Sequence, residues 1–325
     1  MNQKDYAFTL VIPLYRSESI IPDLLKRLEN LSTSEPWNVV FVDDGSPDNT
    51  YNTIKYMLQS SPINAILVRH TRNYGEHNAV LTGYRYASGE YVLNLDDDLQ
   101  NPPEEALRML QYARENDFDV VYGNYRSKKH AGWRNIGSFF ANLTAKFLLD
   151  INGTDYLSSF RCVSRHIAKN IAHYKGPYVY IDGILSQLTS SISSLDVHHD
   201  ERFVGESGYN MRRLIRLWLV ILTGFSLMPL RIAILVGIST AIIGASGLAY
   251  AVISNIFDKH QVPGWTSIIS SILFFGGIQC LLLGVVGEYI GRIYLAISGK
   301  PQSLVRSIDS FNSPSLQSIP RDLTA

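Results

Sequence analysis

Residues 91–103 read Tyr-Val-Leu-Asn-Leu-Asp-Asp-Asp-Leu-Gln-Asn-Pro-Pro, a short apolar run followed at once by three aspartates. A run of this length bounded by turn residues is typical of a buried strand. Three adjacent carboxylates repel one another unless a cation neutralises them. On an extended chain Asp96 and Asp98 point the same way, and carboxylate oxygens suit Mg²⁺ or Mn²⁺ beside a substrate phosphate. A solvated acidic loop is the alternative.

Similar apolar runs alternate with amphipathic helical patterns through the first 210 residues. Strands that alternate with helices of this length predict an α/β fold with a mostly parallel sheet and flanking helices. The predicted strands are Phe8–Ile12, Val39–Val42, Ala65–Val68, Tyr91–Leu95 and Val120–Tyr122, and the predicted helices are Ile20–Asn30, Asn49–Gln59, Asn78–Ala87 and Glu104–Glu115.

A second acidic turn, Asp43-Asp44-Gly45-Ser46, follows the second predicted strand. Open parallel sheets bind ligands at the carboxyl ends of their strands, so this turn and the three aspartates should lie at one edge. One site can accept hydrogen bonds from a base or ribose, and the other can hold a metal on a diphosphate. The pair therefore predicts a nucleoside diphosphate ligand, although an Asp-Gly-Ser sequence is also an ordinary turn.

The C-terminal third contains two long uncharged stretches. Ile232–Phe257 and Gln261–Gly287 contain no Asp, Glu, Lys or Arg. About 20 apolar residues span a bilayer core, so we predict transmembrane helices at 231–257 and 261–291; two buried soluble helices are the alternative. Basic residues lie before the first predicted span and after the second. The positive-inside rule therefore predicts that both termini lie in the cytoplasm.

The segment before the first predicted span is amphipathic. Apolar residues at helical spacing in Met211–Phe225 lie opposite three arginines, which predicts an interfacial segment at 211–230. The start of the first span is the alternative reading. Residues 1–210 are then predicted to form a cytoplasmic domain, and residues 292–325 a cytoplasmic tail. After Lys300 this tail is rich in Ser and Pro, which predicts little order.

Composition narrows the class of protein. The 29 basic and 29 acidic residues give a net charge of zero, which argues against a nucleic-acid partner. Two cysteines in dissimilar surroundings predict neither a disulfide framework nor a zinc site. The polar first residues and the short first apolar run predict no signal peptide.

Four motifs together resemble a known family. Val11-Ile12-Pro13-Leu14-Tyr15, the Asp43 turn, Asn73-Tyr74-Gly75 and the string from Asp96 to Pro103 are similar to glycosyltransferase family 2, which has the GT-A fold. The set most resembles polyprenyl-phosphate glycosyltransferases, namely dolichol-phosphate mannose synthases and GtrB-type bactoprenol glucosyltransferases. Arg202–Gly208 also resembles an element of that branch. The resemblance covers residues 6 to 300, and two predicted spans favour the GtrB type.

The resemblance implies roles for individual residues, which are expectations here. It implies catalytic roles for Asp98, Asp155 and Arg202, a donor site formed by Pro13, Tyr15, Asp43, Asp44, Gly75, Asp96 and Asp97, an acceptor-phosphate site formed by Arg126, Arg134, Ser138 and Arg202, and a metal site formed by Asp96, Asp98 and Gln100.

The implied reaction is the inverting transfer of a sugar, glucose from UDP-glucose, to a polyprenyl phosphate such as undecaprenyl phosphate. Mg²⁺ or Mn²⁺ is the implied cofactor. The implied location is the inner membrane, crossed more than once, with the catalytic domain in the cytoplasm and the helices available for a homo-oligomer. A mannose synthase that uses GDP-mannose and a non-catalytic, membrane-anchored nucleotide-sugar binding protein are the alternatives.

Overall fold

A computed structural model describes residues 6–125, 157–176, 178–198, 228–257 and 264–312. The chain divides into two compact units. The first combines Met1–Leu214 with Lys300–Ala325, and the second is Ile215–Gly299. Each unit is described by itself below.

The first unit is built on one sheet, which has eight strands among the described residues. Their spatial order is β7-β5-β6-β4-β1-β2-β3-β8. Six strands run in one direction, while β6 and β8 are antiparallel to their neighbours. The strands are β1 Phe8–Leu14, β2 Trp37–Asp43, β3 Ala65–His70, β4 Tyr91–Asn94, β5 Val120–Tyr125, β6 Arg161–Ser164, β7 Ile192–Val197 and β8 Val305–Phe311.

Helices connect the parallel strands. The four predicted helices and five predicted strands are confirmed, and their ends differ from the predicted ones by at most three residues. The helices of this unit are α1 Ile21–Glu29, α2 Thr50–Leu58, α3 Glu76–Tyr86, α4 Pro103–Glu115, α5 Arg165–Ala172 and α6 Ile181–Leu188.

The core lies on both faces of the central strands. Strand β1 is buried along nearly its whole length, as expected for a parallel strand that helices cover on both sides. Helix α1 buries Ile21, Leu24, Leu25 and Leu28, which follow the i, i+3, i+4, i+7 spacing of one helical face. These elements could be identified from the sequence because the buried strand is a continuous apolar run and the helix has apolar residues at helical spacing.

The C-terminal segment corrects one prediction. Residues after Lys300 were expected to have little order, but Val305–Phe311 forms β8 at the edge of the sheet, antiparallel to β3. Polar side chains fix this strand: the Lys55 ammonium lies 2.7 Å from Asp309 Oδ1, and Tyr51 Oη donates to Asp309 Oδ2 at 2.5 Å. Residues 313–325 lie outside the described part of the chain.

The second unit contains two long helices in its described part, α7 (Met228–Phe257) and α8 (Trp265–Ile297). Within α8, Phe274–Ile297 is long and apolar enough to cross a membrane, and its most apolar window is not buried in the protein. Helix α7 contains a shorter apolar stretch, Leu230–Gly244. The pair of predicted spans and their topology remain predictions, and the interfacial segment at 211–230 falls almost entirely outside the described residues.

Candidate active site

The carboxyl ends of β1, β2, β3 and β4 meet at one edge of the sheet, as predicted. Strand β4 pairs with β1 in parallel and Asn94 lies opposite Val11, so the residues that follow Asn94 lie beside the carboxyl end of β1. The Tyr15 N–H points to Asp97 Oδ2 at 3.5 Å, and the Ser17 hydroxyl also donates to Asp97 Oδ2. The two motifs, 82 residues apart in sequence, therefore form one site.

Asp96 lies on the other side of this site, next to β6. Because β6 is antiparallel to β4, the start of β6 lies beside the end of β4, and Ser159 Oγ donates to Asp96 Oδ2 at 2.7 Å. Asn101 Nδ2 donates to the same oxygen at 3.2 Å. Both of these hydrogen bonds therefore end on the same Asp96 oxygen, Oδ2.

Glu76, Asp96, Asp97 and Asp98 form an acidic cluster, in which the pKa values of Asp96 and Asp97 are raised. The pKa of Asp96 is raised to about 7; burial is the main cause, the nearby Glu76 and Asp98 carboxylates add to it, and the Ser159 hydrogen bond and Arg161 oppose it. Burial also raises the pKa of Asp97 to about 6, which the Ser17 hydrogen bond opposes. Packing several carboxylates together disfavours their charged forms, and a bound cation would relieve that repulsion.

The backbone turns sharply at the third aspartate, which corrects the expectation of an extended segment there. Strand β4 ends at Asn94, and Leu99 has a φ of 59°. Asp98 Oδ1 accepts a hydrogen bond from the Gln100 N–H at 3.1 Å, so Asp98 caps this turn. The alternation argument for Asp96 and Asp98 therefore does not hold, although the two carboxylates remain close enough to interact.

The donor atoms of the site fit a hard divalent cation. Among the described residues, no three His, Cys, Asp or Glu side chains form a ready-made metal cage. Mg²⁺ and Mn²⁺ at nucleotide sites are commonly held by one or two carboxylates together with substrate phosphates, so a cage is not required. Asp96 and Asp98 are the two carboxylates of the predicted metal site, they are close enough to interact, and Gln100 lies in the same turn.

The second acidic turn is buried beneath the same edge. Asp43 is fully buried, accepts the Ser46 N–H at 3.1 Å and has Arg69 Nε 3.4 Å from its Oδ2. Burial raises the pKa of the Asp43 carboxyl, and Ser46 and Arg69 oppose the shift. The Asp43 carboxylate therefore holds the turn at the end of β2 through its contacts with Ser46 and Arg69.

Asp44 is also buried, and its contacts organise a loop. Its carboxylate accepts the Tyr74 N–H at 2.9 Å and the Gly75 N–H at 2.7 Å, and His70 Nδ1 lies 2.7 Å from its Oδ1. Asp44 thus joins the end of β2 to the start of α3. Gly75, with a φ of 95°, precedes the first turn of that helix.

The exposed side of the site is formed by the β1 motif, Val11–Tyr15, at the carboxyl end of β1. Tyr15 is 42% exposed, and the Arg16 guanidinium lies 5.5 Å from the centre of its ring. Pro13 is half-buried within β1. An exposed aromatic face beside the acidic turns can stack on a planar base.

Gly45 cannot accept a side chain. Its φ is 63°, and a Cβ there would lie 2.4 Å from the Arg72 carbonyl carbon. We expect Gly45→Ala to destabilise the first unit by about 3 kcal/mol or more, because backbone strain and a clash add. Gly75→Ala is the matched control, since its φ of 95° is strained but a Cβ there meets nothing within 4 Å. Thermal unfolding should rank Gly45→Ala clearly below Gly75→Ala; equal melting temperatures would contradict the clash.

Several residues of the site were not predicted. Ser17, Ser159 and Arg161 contact the acidic cluster or its support, and Glu76 lies close enough to raise the pKa of Asp96. No helix or strand pattern in the sequence just before Ser159 and Arg161 indicates that they lie next to β4, so their position could not be predicted. Glu76 directly follows the Asn73-Tyr74-Gly75 motif, and that position was the available signal.

The remaining predicted residues are not part of the described structure. The acceptor-side and catalytic candidates Arg126, Arg134, Ser138, Asp155 and Arg202 all lie outside the described residues. Their roles therefore remain predictions.

Comparison with known proteins gives two family matches. The profile described as glycosyl transferase family 2 matches residues 9–172, and the profile described as the GtrB C-terminal hairpin matches residues 228–293. The first match covers the strands and helices that form the candidate site, and the second covers α7 and most of α8.

Curated relatives match along nearly the whole chain. The undecaprenyl-phosphate 4-deoxy-4-formamido-L-arabinose transferase of Shewanella sediminis (strain HAW-EB3) is 32% identical over 94% of both chains. A protein of the same name from Yersinia enterocolitica is 29% identical over 94% of this chain and 95% of its own.

A solved structure also resembles this chain. It is the mannosyltransferase PcManGT from Pyrobaculum calidifontis in complex with GDP-Man and Mn²⁺, with 17% identity and a TM-score of 0.49 over 91% of this chain and 87% of that one.

The motifs that meet at the sheet edge and the two profile matches lead to one classification. The chain is a glycosyltransferase with a GT-A architecture, and it belongs to glycosyltransferase family 2, in the polyprenyl-phosphate branch that carries the GtrB C-terminal hairpin.

Proposed function

We propose that the protein transfers a sugar from a nucleotide sugar to a polyprenyl phosphate, such as undecaprenyl phosphate, with inversion at the anomeric carbon. Glucose from UDP-glucose is our first assignment for the donor. The observation that supports the reaction class is the convergence of the β1 motif with the acidic turn after β4, through the Tyr15 and Ser17 contacts to Asp97.

The donor would lie along the sheet edge. In this proposal Pro13 and Tyr15 line the nucleobase, and the Asp43–Asp44 turn bounds the base and ribose. The backbone at Gly75 closes the same side, since Asp44 holds its N–H. Asp96 and Asp97 lie towards the diphosphate.

A divalent ion, Mg²⁺ or Mn²⁺, would neutralise charge on the leaving nucleoside diphosphate when bound. Asp96, Asp98 and Gln100 are the residues proposed to hold it. Asp98 keeps the turn in shape through the Gln100 N–H, so one residue contributes both charge and geometry.

The acceptor needs little activation. A lipid phosphate already carries a nucleophilic oxygen near neutral pH, because the second pKa of a phosphomonoester is about 6. The chain must instead bring two anionic phosphates together, and we propose Arg126, Arg134, Ser138 and Arg202 for the acceptor phosphate. Asp155 is proposed to assist at the sugar or the acceptor. Direct displacement by the phosphate oxygen requires no covalent intermediate on the protein and gives inversion.

The reaction would take place at the cytoplasmic leaflet. The apolar window of α8 supplies a membrane-crossing segment, and the uncharged stretch within α7 would supply a second. The basic flanks of the pair support an orientation with both termini in the cytoplasm, and we assign the protein to the inner membrane.

A donor panel tests this assignment. Full-length protein in detergent would receive undecaprenyl phosphate and radiolabelled UDP-glucose, GDP-mannose or a nucleotide-linked 4-deoxy-4-formamido-L-arabinose. The last donor is the second candidate, because relatives at 29% and 32% identity carry that sugar in their names. Lipid-linked glucose supports the first assignment, and another labelled lipid replaces it. No labelled lipid from any donor would favour a non-catalytic binding protein.

Arg202 provides a test of the acceptor site. Each pair of like unit charges at about 4 Å repels by roughly 4 kcal/mol at an effective dielectric constant near 20, so the acceptor phosphate needs its own cation. We expect Arg202→Ala to lower lipid transfer by about 100-fold, or roughly 2.7 kcal/mol of transition-state stabilisation, with little change in nucleotide affinity. Arg202→Lys should restore part of the rate.

The matched control is Arg108→Ala, which removes an exposed arginine paired with Glu105 on α4. Transfer rates would be measured beside nucleotide affinity by calorimetry. Unchanged transfer by Arg202→Ala would move the acceptor site elsewhere.

A further inference from the structure

A buried chain of hydrogen bonds runs from the C-terminal segment to the donor side of the site. Ser303 Oγ lies 3.0 Å from Thr82 Oγ1, Thr82 Oγ1 lies 2.9 Å from His70 Nε2, and His70 Nδ1 lies 2.7 Å from Asp44 Oδ1. All four side chains are buried, with exposed fractions of 8%, 0%, 1% and 3% in that order. Polar groups buried in such a chain are costly to leave unpaired.

The chain has one consistent direction when His70 is neutral. A carboxylate only accepts, so His70 donates to Asp44 from Nδ1 and must accept at Nε2. Thr82 has a single hydroxyl proton, which it donates to His70. Its oxygen then accepts from Ser303. Ser303 is thus the terminal donor of a chain that ends on Asp44.

Asp44 connects this hydrogen-bond chain to the loop beside the donor site. Its two oxygens accept the N–H groups of Tyr74 and Gly75, which form the loop before α3. The carboxylate that His70 orients is therefore the group that fixes this loop against the end of β2.

The C-terminal segment is held firmly in position. The Thr71 N–H donates to the Leu304 carbonyl at 2.9 Å, next to Ser303. On the other side, Gln302 accepts from Arg85 at 2.9 Å and donates to the Gly176 carbonyl at 2.7 Å. Ser303 lies between these anchors, so its hydroxyl is directed at Thr82 by the backbone around it.

We propose that Ser303 is a positioning residue for the donor site, acting through Thr82 and His70 on Asp44. The segment that follows α8 in the sequence is then part of the catalytic unit, and not an accessory tail. This inference rests on the proposed function, because it assigns the Asp44 side of the edge to the nucleoside part of the donor.

The test compares two serines of the same segment. Ser303→Ala removes the terminal donor of the hydrogen-bond chain. Ser307→Ala removes a hydroxyl that lies 3.0 Å from Tyr51 Oη and is not part of that hydrogen-bond chain. Full-length variants in detergent would be titrated with UDP and with GDP by calorimetry in the presence of Mn²⁺, and melting temperatures would be recorded. We expect Ser303→Ala to weaken binding of the nucleotide that the wild type prefers by about 5-fold, and Ser307→Ala to leave it unchanged.

A second variant tests the chain from inside the helix. Thr82→Val keeps the shape of the side chain but breaks both hydrogen bonds. If the three residues act as one chain, the double variant Thr82→Val/Ser303→Ala binds nucleotide no more weakly than Thr82→Val alone. Independent structural roles predict additive losses. For Ser303→Ala, steady-state kinetics should show a raised KM for the sugar donor, with kcat and the KM for lipid phosphate within 2-fold of wild type.

The outcomes separate this inference from the proposed function. Equal nucleotide affinity in wild type, Ser303→Ala and Ser307→Ala would overturn the positioning role and leave the proposed function intact. Additive losses in the double variant would also overturn it. Failure of the wild type to bind either nucleotide would overturn both.

Discussion

Asp98→Ala is expected to reduce sugar transfer by about 1,000-fold, a loss of roughly 4 kcal/mol of transition-state stabilisation. The reason is electrostatic. Asp98 lies in the acidic cluster that raises the pKa of Asp96, and such a cluster favours a cation that would also contact the donor diphosphate. In the proposed site, Asp98 would help to hold the divalent ion, so its loss would weaken ion binding and reduce the neutralisation of charge on the leaving group.

Asp98→Asn separates charge from turn geometry. Asparagine can still accept the Gln100 N–H, which Asp98 accepts at 3.1 Å, but it carries no charge. If Asp98 only caps the turn, the asparagine variant keeps its activity. If its charge helps to hold a divalent ion, both variants lose most of their activity, by about 1,000-fold.

A direct measurement of the ion completes the test. Mn²⁺ binding followed by electron paramagnetic resonance, with UDP present, should weaken strongly in both Asp98 variants. Asp23→Ala, on the exposed face of α1, is the control for losing one carboxylate at the surface. Full turnover of the wild type in excess EDTA would remove the metal from the mechanism.

The central strands and helices could be predicted because burial and periodicity coincide there. Strands β1 to β4 are buried on both faces and have continuous apolar runs, and the intervening helices have one apolar face each. The parallel order then places the ends of these strands at one edge. The two acidic turns and the β1 motif could therefore be assigned to one site before any coordinates.

The antiparallel strands could not be predicted for physical reasons. Strand β6 has only four residues, and no pattern of that length separates a strand from a loop. Strand β8 alternates half-buried and exposed residues, as an edge strand does, but the Ser- and Pro-rich surroundings suggested disorder. Its order comes from pairing with β3, more than 200 residues earlier in the chain.

The buried ion pair next to the acidic turn after β4 could not be predicted from the sequence either. Arg161 is buried at the start of β6, and its guanidinium pairs with Asp182 in the first turn of α6. Tyr122 Oη donates to the same Asp182 oxygen at 3.0 Å. The partners are 21 residues apart, with no local periodicity that links them.

Arg161→Met is expected to destabilise the first unit by about 3–5 kcal/mol, because it leaves the Asp182 carboxylate buried without its cation. In a unit of this size that loss lowers the melting temperature by about 10 °C. Arg108→Met is the matched control: Arg108 pairs with Glu105 at 2.5 Å on the exposed side of α4, and such pairs contribute at most about 1 kcal/mol. Thermal unfolding of both variants in detergent measures the difference.

The double variant Arg161→Met/Asp182→Asn distinguishes charge from packing. Removing both charges should recover a large part of the lost stability, because the cost of the single variant comes mainly from one uncompensated buried charge. The same pair also supports the site: Arg161 Nε donates to the Ser159 carbonyl at 3.2 Å, and Ser159 holds Asp96. The double variant should therefore regain stability and still bind Mn²⁺ more weakly than wild type in the presence of UDP. A double variant as unstable as Arg161→Met alone would show that the packing of the arginine, and not its charge, stabilises this part of the sheet.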